Sequence, residues 1–347
     1  MSFYYISNQI YQFLYSEPVY RELGGTFLTW KYRTYLRLKK QFFLNRLKNP
    51  QDPYPPIRHV NRYNITGDDG VLIANSLHRI GYDRTRHKLI LMYHGTSDKI
   101  PRVSAQVAGQ FDYYFLTGPK NEQKLAGAAG INWDSERLIR TGNWMFDSIV
   151  NNNYDVDEIR RKYDITDTSR PTVLYAPTWS YGGGTLFNNF ENFITTIPEQ
   201  YNLIIRPHYA ERKYIPKLAR MVPAKFKQRV SFVNSANIFK YHFMENLFIA
   251  DLLLSDTSSM VYEYLIMRRP LIICATESPE VSQNDYGTNI ADQVDKYRPG
   301  DDVMKMIKKN LDDKSIRNDM DKLLHHFFYF NDGKSTQRCI DFLKTVS

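Results

Sequence analysis

The residues best suited to bind phosphate follow an apolar run in the second half of the chain. The run LFIADLLLSD leads into the helix-like segment TSSMVYEYLIM, which starts with three hydroxyl side chains. The start of a helix offers free backbone amides, and hydroxyl groups add further donors for an anion. Ser258 and Ser259 are therefore candidates to contact a diphosphate, while Glu263 is placed to reach a ribose hydroxyl. Ordinary helix capping is the alternative explanation.

Two histidines stand where strand-like runs end. His94 follows LILMY, and the Gly95 beside it permits close backbone approach, which makes it a candidate anion contact. His208 ends NLIIRPH, with Arg206 two residues before it. Imidazole titrates near neutral pH and suits general-base catalysis, and Arg206 with His208 offers positive charge to a phosphoryl group. The alternatives are structural or exposed histidines and a surface ion pair for Arg206.

Two further segments contain residues that suit ligand binding. WSYGGGTL (179–186) has three successive glycines, but it lacks both the dinucleotide fingerprint and the phosphate-loop order, so we predict a flexible loop. FNDGKSTQR places Lys334 and Ser335 before a helix, where capping explains them and anion contact is the alternative. No spacing of Asp, His or Cys demands a metal, so no metal site is predicted. Whether a divalent ion accompanies a diphosphate stays open.

A scaffold of alternating strands and helices must position these residues. Short apolar runs at LILMY, FDYYFLTG and RLIRTGN precede the polar segment 151–171, and TVLYAPT, NLIIRPH, LFIADLLLSD and LIICA follow it. This alternation predicts an α/β fold with parallel sheets that bind ligands at the carboxyl ends of their strands. Because 347 residues exceed the size of most single cores, we expect two domains.

The opening of the chain is basic and aromatic. The segment 31–48, KYRTYLRLKKQFFLNRLK, has seven cations and no acid, and its apolar residues recur at spacings of three, four and seven. This is the period of an amphipathic helix. Such a helix can lie on an anionic membrane surface. The alternative is a packed helix with a solvated basic face.

The composition indicates the charge of the partner and the compartment in which we expect the protein. The formal charge of +9 predicts an anionic partner, which nucleic acid, phospholipid and a phosphorylated substrate all satisfy. Cys274 and Cys339 cannot form a disulfide framework, which favours a reducing compartment. No signal peptide is readable at the start, and charged residues interrupt the most apolar region. We therefore expect a cytoplasmic protein.

Taken in order, six segments resemble the CDP-glycerol glycerophosphotransferase family, the teichoic-acid primases and polymerases. They are MYHGTSDK, TGNWMFD, VLYAPTW, IIRPH, IADLLLSDTSSMVYEYLIMRRPLI and FNDGKSTQR, and they cover most of the chain from about Leu89 onward. The last two are the most specific. The chain departs from the family in three ways: Tyr209 replaces a proline after the second histidine, TGNWMFD lacks a Pro-Arg pair, and the N-terminal domain is short.

The resemblance implies a GT-B fold of two Rossmann-like domains with parallel sheets facing a cleft. It implies that His94 is the base on the acceptor hydroxyl and that Arg206 and His208 act on the phosphoryl group. The implied nucleotide contacts are Thr178, Asp256, Thr257, Ser258, Ser259 and Glu263. The implied domains are a basic, aromatic helical segment over 1–60, an acceptor-side domain over 61–155, and a nucleotide-binding domain over 165–347 whose last helix packs back on the N-terminal domain.

The implied reaction moves glycerol phosphate, or another alditol phosphate, from a CDP-alditol to a hydroxyl of a surface polymer or lipid-linked primer. CMP is released, and no cofactor is required. The expected location is the inner face of the cell membrane, as a peripheral protein without a nucleic-acid partner. One alternative is a GT-B glycosyltransferase that uses a nucleotide sugar for capsule or lipopolysaccharide synthesis. Another is a non-catalytic protein that binds membrane or RNA.

Overall fold

Two parallel β-sheets organise the chain. The structure is a computed structural model, and it describes residues 1–52, 54–93, 104–130, 132, 135–256, 258–276 and 290–347. These residues divide into two compact units. The first unit takes in the described residues up to Asn151 together with Phe327–Ser347, and the second takes in those from Asn152 to His326.

The first unit contains a sheet of seven parallel strands. They are β1 (Ser2–Ile6), β2 (Thr26–Thr29), β3 (Ile57–His59), β4 (Gly70–Ala74), β5 (His87–Met92), β6 (Tyr113–Leu116) and β7 (Leu138–Arg140). Their order across the sheet is β3-β2-β1-β4-β5-β6-β7. In register, Tyr4 of β1 lies opposite Thr26 of β2 and Leu72 of β4.

Helices surround this sheet. They are α1 (Gln12–Leu23), α2 (Tyr32–Lys48), α3 (Ala105–Ala108), α4 (Pro119–Ala129) and α5 (Asp147–Val150). The last helix of the chain, Ser335–Val346, also belongs to this unit and packs against α1. The residues of β4 are buried along its whole length, as expected for a central parallel strand that is covered on both faces.

The second unit has a six-stranded parallel sheet with the doubly wound order. Its strands are β8 (Thr172–Tyr175), β9 (Asn202–Ile205), β10 (Val230–Phe232), β11 (Leu252–Ser255), β12 (Leu271–Cys274) and β13 (Lys296–Tyr297). The order β10-β9-β8-β11-β12-β13 reverses between β8 and β11. This order is typical of nucleotide-binding Rossmann domains.

Seven helices follow α5 in the described part of the chain. They are α6 (Val156–Lys162), α7 (Leu186–Thr196), α8 (Ile215–Met221), α9 (Phe243–Ile249), α10 (Met260–Glu263), α11 (Val303–Asp312) and α12 (Ile316–Phe327), with α13 (Ser335–Val346) as an eighth that closes the first unit. In the second unit, Phe190 and Phe193 of α7 share one apolar core with Leu203 of β9 and Leu254 of β11. Within the described ranges, no helix combines the length and apolar character that crossing a membrane requires.

The prediction of two parallel-sheet α/β domains is confirmed, and each apolar run named above corresponds to a strand. The first 60 residues differ from the predicted helical segment. They supply β1, β2 and β3 as well as α1 and α2, because their aromatic side chains are buried in the sheet: Tyr5 and Phe27 stack at 5.1 Å. The predicted helix SSMVYEYLIM is shorter than expected, since α10 passes into a 3-10 turn over Tyr264–Met267.

Candidate functional site

The carboxyl edge of the second sheet gathers predicted site residues from three adjacent strands. Thr178 follows β8, Arg206 and His208 follow β9, and Asp256 follows β11. Strand β8 pairs with both β9 and β11, so these residues lie at one edge, next to the point where the strand order reverses. In open α/β sheets ligands bind outside the strands at this switch point.

Asp256 is the buried centre of this edge, with 1% of its surface exposed. One carboxylate oxygen accepts a hydrogen bond from the backbone amide of Thr178 at 2.8 Å. The other accepts from the backbone amide of Thr185 at 3.0 Å and from its hydroxyl at 3.2 Å. The sequence predicted a nucleotide contact here. In the structure the carboxylate of Asp256 binds the two ends of the segment 178–185, and the nucleotide contact stays a prediction.

The glycine-rich loop 178–185 is held in place by two acids, whereas the sequence predicted a flexible loop. Asp256 binds its two ends, and Glu211 accepts from both the backbone amide of Ser180, at 2.8 Å, and the Ser180 hydroxyl. Gly183 has a φ of 79°, which glycine adopts without strain. A Cβ at Gly184 would overlap the carbonyl oxygen of Thr178, so only glycine fits there.

His208 has a defined ring orientation. Its Nδ1 accepts a hydrogen bond from the backbone amide of Ala210 at 3.2 Å. A neutral imidazole whose Nδ1 accepts carries its proton on Nε2, so Nε2 is a donor. The ring also stacks on Trp179, with 6.3 Å between centroids and 29° between planes. Tyr181, 91% exposed, lies 5.8 Å from Trp179 in the same loop.

Arg206 lies against the start of α10 and is half-buried. Its Nη1 donates to the sulfur of Met260 at 2.8 Å. A guanidinium in this position adds positive charge at the carboxyl end of β9. That charge, together with Lys162, is also felt by His242, as described next.

Sequence reasoning missed a polar cluster at the start of α9. Burial, and then the charges of Lys162 and Arg206, lower the pKa of His242 to about 4. The Nδ1 of His242 accepts from the backbone amide of Met244 at 3.2 Å, so His242 caps the helix. Lys162 pairs with Glu245 at 2.6 Å. A histidine directly before the helical pattern FMENLFI is the sequence signal that could have identified this cluster.

The residues around α10 show capping. The hydroxyl of Ser258 accepts a hydrogen bond from the backbone amide of Met260 at 3.4 Å, and Ser259 directly precedes the helix. Glu263 is buried within α10. Thr257 lies outside the described residues. Phosphate binding by Ser258 and Ser259, and ribose binding by Glu263, stay predictions.

Other predicted residues belong to the first unit or lie outside the description. His94 and Gly95 fall outside the described residues. The anion contact at Ser335 stays a prediction, and in the structure Asp147 lies at the start of α13. Its carboxylate accepts from the amides of Ser335 at 3.1 Å and Thr336 at 2.6 Å, and burial raises the pKa of Asp147. Lys334 directly precedes this helix and is exposed.

Within the described ranges, no group of three or more His, Cys, Asp or Glu side chains is arranged to hold a metal ion. The described edge offers cations and hydrogen-bond donors. Arg206 and the Nε2 of His208 are suited to an anionic ligand such as a nucleoside diphosphate.

A family model described as CDP-Glycerol:Poly(glycerophosphate) glycerophosphotransferase matches residues 71–345. The chain is 25% identical over 196 residues to a teichoic acid poly(glycerol phosphate) polymerase from Staphylococcus epidermidis. It is 21% identical over 227 residues to a teichoic acid poly(ribitol-phosphate) polymerase from Bacillus spizizenii. The matches cover 53% and 62% of this chain but only 25% and 34% of these relatives' own lengths.

Solved structures share the fold. A structure of the wall teichoic acid polymerase TagF is similar at a TM-score of 0.66 and 15% identity, over 99% of this chain and 89% of that one. A TagF variant soaked with CDPG is similar at a TM-score of 0.68 and 16% identity, over 99% of this chain and 88% of that one. A UDP-GlcNAc 2-epimerase from Neisseria meningitidis, bound to UDP-GlcNAc, is similar at a TM-score of 0.58 and 12% identity, over 99% of this chain and 100% of that one. The predicted GT-B class is confirmed.

Proposed function

Because the chain belongs to the CDP-glycerol:poly(glycerophosphate) glycerophosphotransferase family, we propose that it transfers glycerol phosphate from CDP-glycerol to a hydroxyl group of a polymer. The acceptor oxygen forms a bond to the phosphorus that carries glycerol. The bond from that phosphorus to the bridging oxygen breaks, and CMP leaves with this oxygen and its electron pair. The acceptor proton passes to His94.

The arrangement of Arg206 and His208 is the single observation that carries this proposal. Both follow β9 at the carboxyl edge, beside the switch point between β8 and β11. Phosphoryl transfer depends mainly on positioning and on charge stabilisation at the phosphoryl oxygens. A guanidinium and an Nε2–H donor supply both without further chemistry. We assign them to the diphosphate, with Ser258 and Ser259 at the start of α10 as further donors.

The donor is assigned from several observations. The family description names CDP-glycerol, and a TagF variant was solved after a CDPG soak. The match to a poly(ribitol-phosphate) polymerase makes CDP-ribitol the second candidate. The similarity to a UDP-GlcNAc epimerase shows that fold alone does not choose the donor. The family match therefore favours an alditol donor over a nucleotide sugar.

The released nucleotide tests the proposal. The purified protein is incubated with CDP-glycerol, CDP-ribitol and a panel of nucleotide sugars, each with a membrane extract as acceptor source, and the released nucleotide is identified by mass. We expect CMP, and we expect His94→Ala to abolish its release while the same change at the exposed His325 does not. Release of a nucleoside diphosphate would indicate a glycosyltransferase. No release from any donor would favour the non-catalytic alternative.

We further propose that α2 attaches the protein peripherally to an anionic membrane on the cytoplasmic face. Its buried residues Thr34, Leu38 and Phe42 recur every four positions. At about 100° per residue, four of its five exposed large apolar residues lie on the opposite side of the helix. These are Tyr32, Leu36, Phe43 and Leu47, which are 48% to 64% exposed.

The cations of α2 flank this exposed apolar stripe. Lys39 and Arg46 project on one side of it, and Arg33 and Lys40 on the other, by the same helical geometry. An apolar stripe between cations suits the interface of an anionic bilayer. Such a membrane would also bring the protein to a lipid-linked acceptor.

Co-sedimentation with phosphatidylglycerol-containing vesicles tests this attachment. We expect Leu36→Glu with Phe43→Glu, and separately Lys39→Gln with Lys40→Gln, to reduce vesicle binding by at least about tenfold. The control pair, Lys217→Gln with Lys225→Gln in the second unit, should bind as the unmodified protein does. Unchanged binding by both α2 variants would contradict the proposal.

A further inference from the structure

A closed circuit of contacts joins four residues: His208, Glu211, Ser180 and Trp179. The backbone amide of Glu211 donates to the carbonyl oxygen of His208 at 2.8 Å. Its Oε1 accepts from the amide of Ser180 at 2.8 Å and from the Ser180 hydroxyl. Ser180 directly follows Trp179, whose ring stacks on the imidazole of His208. The circuit therefore returns to the residue from which it began.

The carboxylate of Glu211 is buried, with 5% of the residue exposed. A buried carboxylate needs strong hydrogen bonds to offset its lost hydration. Both of the hydrogen bonds to Oε1 come from Ser180. Its other oxygen, Oε2, is buried and has no hydrogen-bond partner within the described part of the chain. The stabilisation that the carboxylate gives is thus directed at the loop that carries Trp179.

Two contacts from described residues constrain the imidazole of His208. The amide of Ala210 donates to Nδ1, which sets the tautomer, and the ring of Trp179 stacks on the imidazole, which limits its rotation. The Ala210 contact is local to the turn that follows β9. The Trp179 contact depends on the position of the glycine-rich loop, whose ends are bound by Asp256 and whose Ser180 is bound by Glu211.

We propose that Glu211 is a positioning residue that acts through Ser180 and Trp179 to hold His208 in one ring orientation, with its proton on Nε2. The relevance of this to phosphoryl transfer rests on the proposed function. The geometry does not. When Glu211 cannot hold Ser180, the loop carries Trp179 away, the imidazole rotates, and the bond from Ala210 to Nδ1 is lost for part of the time.

The tautomer of His208 can be measured directly. The protein is labelled with ¹⁵N-histidine, long-range proton–nitrogen spectra are recorded, and the signals of His208 are assigned by their loss in His208→Asn. We expect a protonated Nε2 and an unprotonated Nδ1 in the unmodified protein. In Glu211→Ala we expect nitrogen shifts that move toward a mixture of tautomers. Glu211→Gln should restore the original pattern, because its amide oxygen accepts the same donors and its NH₂ takes the unpartnered position of Oε2.

A second pair of variants tests the same circuit without touching a buried charge. Trp179→Ala removes the stacking contact from a partly exposed position, so we expect it to fold and to mix the tautomers as Glu211→Ala does. Trp179→Phe should keep a single tautomer. With CDP-glycerol, Glu211→Ala and Trp179→Ala should lower kcat by about 10- to 100-fold and change KM by less than about twofold, as loss of orientation predicts.

Glu122 provides the matched control in the first unit. It is buried to the same degree, at 3% exposed, and it binds Arg140 at 2.9 and 3.0 Å and Tyr329 at 2.6 Å. Glu122→Ala should lower the melting temperature and leave the His208 signals unchanged. The proposal is overturned if Glu211→Ala and Trp179→Ala both keep one Nε2–H tautomer, or if Glu122→Ala disturbs His208 equally. Absence of CMP release by the unmodified protein would defeat the proposed function, while the spectra would still decide the role of Glu211.

Discussion

The carboxylate of Asp256 binds the backbone amides of both Thr178 and Thr185, at 2.8 and 3.0 Å, and so ties both ends of the glycine-rich loop to the end of β11. Thr178 and Thr185 flank Trp179 and Ser180. The ring of Trp179 stacks on His208, and the amide of Ser180 donates to Glu211. Two buried acids, Asp256 after β11 and Glu211 after β9, therefore hold the loop that follows β8, the strand between them. A change at either acid should affect the carboxyl edge of the second sheet as well as the stability of the protein.

Asp256→Asn should reduce both stability and activity. The side chain of asparagine has only one acceptor oxygen. Its NH₂ group would therefore face one of the two loop amides, and neither group could accept a hydrogen bond from the other. Leaving a buried donor unsatisfied costs roughly 1–3 kcal/mol in the free energy of unfolding. Urea denaturation measures this loss, and CMP release measures the loss of activity, which we expect to reach about tenfold or more.

Asp251→Ala is the control for that variant. The carboxylate of Asp251 accepts from the amide of Thr172 at 2.8 Å, at the start of β8 and therefore at the opposite edge of the sheet. We expect this change to lower the free energy of unfolding with little effect on turnover. If both variants lose activity in proportion to their stability, Asp256 has no specific effect on the loop.

Arg206→Ala should reduce kcat/KM for the nucleotide donor by about 100- to 1,000-fold, the usual loss when one charged stabiliser of a phosphoryl group is removed. Arg206→Lys should recover only part of this, since lysine keeps the charge but not the planar fork of donors. Steady-state CMP release with varied CDP-glycerol gives these constants. Arg229→Ala is the control, because Arg229 contacts the carbonyl oxygen of Pro198 at 3.0 Å, before β9 begins.

His242 should make stability depend on pH. Its pKa in the folded protein is lowered to about 4, first by burial and then by Lys162 and Arg206. Between the ordinary histidine value near 6.5 and about 4, the unfolded chain binds a proton that the folded chain does not. The free energy of unfolding therefore falls as pH drops through this window, with a slope of up to about 1.4 kcal/mol per pH unit from this group.

His242→Asn isolates this contribution, since asparagine can still cap α9. Urea denaturation at several pH values from 4 to 7 should show a shallower pH dependence for the variant than for the unmodified protein. His325→Asn, at an exposed position on α12, serves as the control. Parallel curves for the unmodified protein and His242→Asn would contradict the shifted pKa. In Arg206→Ala, removal of one nearby charge should raise the pKa of His242.

The sequence predicted strands more reliably than it predicted the partners of polar residues. Continuous apolar runs such as LLLS at β11 identify a buried parallel strand without outside information. Strands β1, β2 and β3 were missed, because residues 1–60 were assigned to a basic, aromatic helical segment. The hydrogen bonds from the loop amides to Asp256 were also missed, because the carboxylate and the Thr178 amide that it binds are 78 residues apart. A capping pattern shows that a helix begins, but it does not show which distant side chain occupies its amides.

The start of α13 is the last such case, and it gives a prediction. Asp147 accepts from the amides of Ser335 and Thr336, although it lies 188 residues before Ser335. Because this carboxylate already fills the helix start, Lys334→Ala should change KM for CDP-glycerol by less than about twofold. Asp147→Ala should lower the free energy of unfolding by about 1–2 kcal/mol, as removal of a helix cap does. Urea denaturation and CMP release measure the two effects, and a large rise in KM for Lys334→Ala would show that this helix start takes part in donor binding.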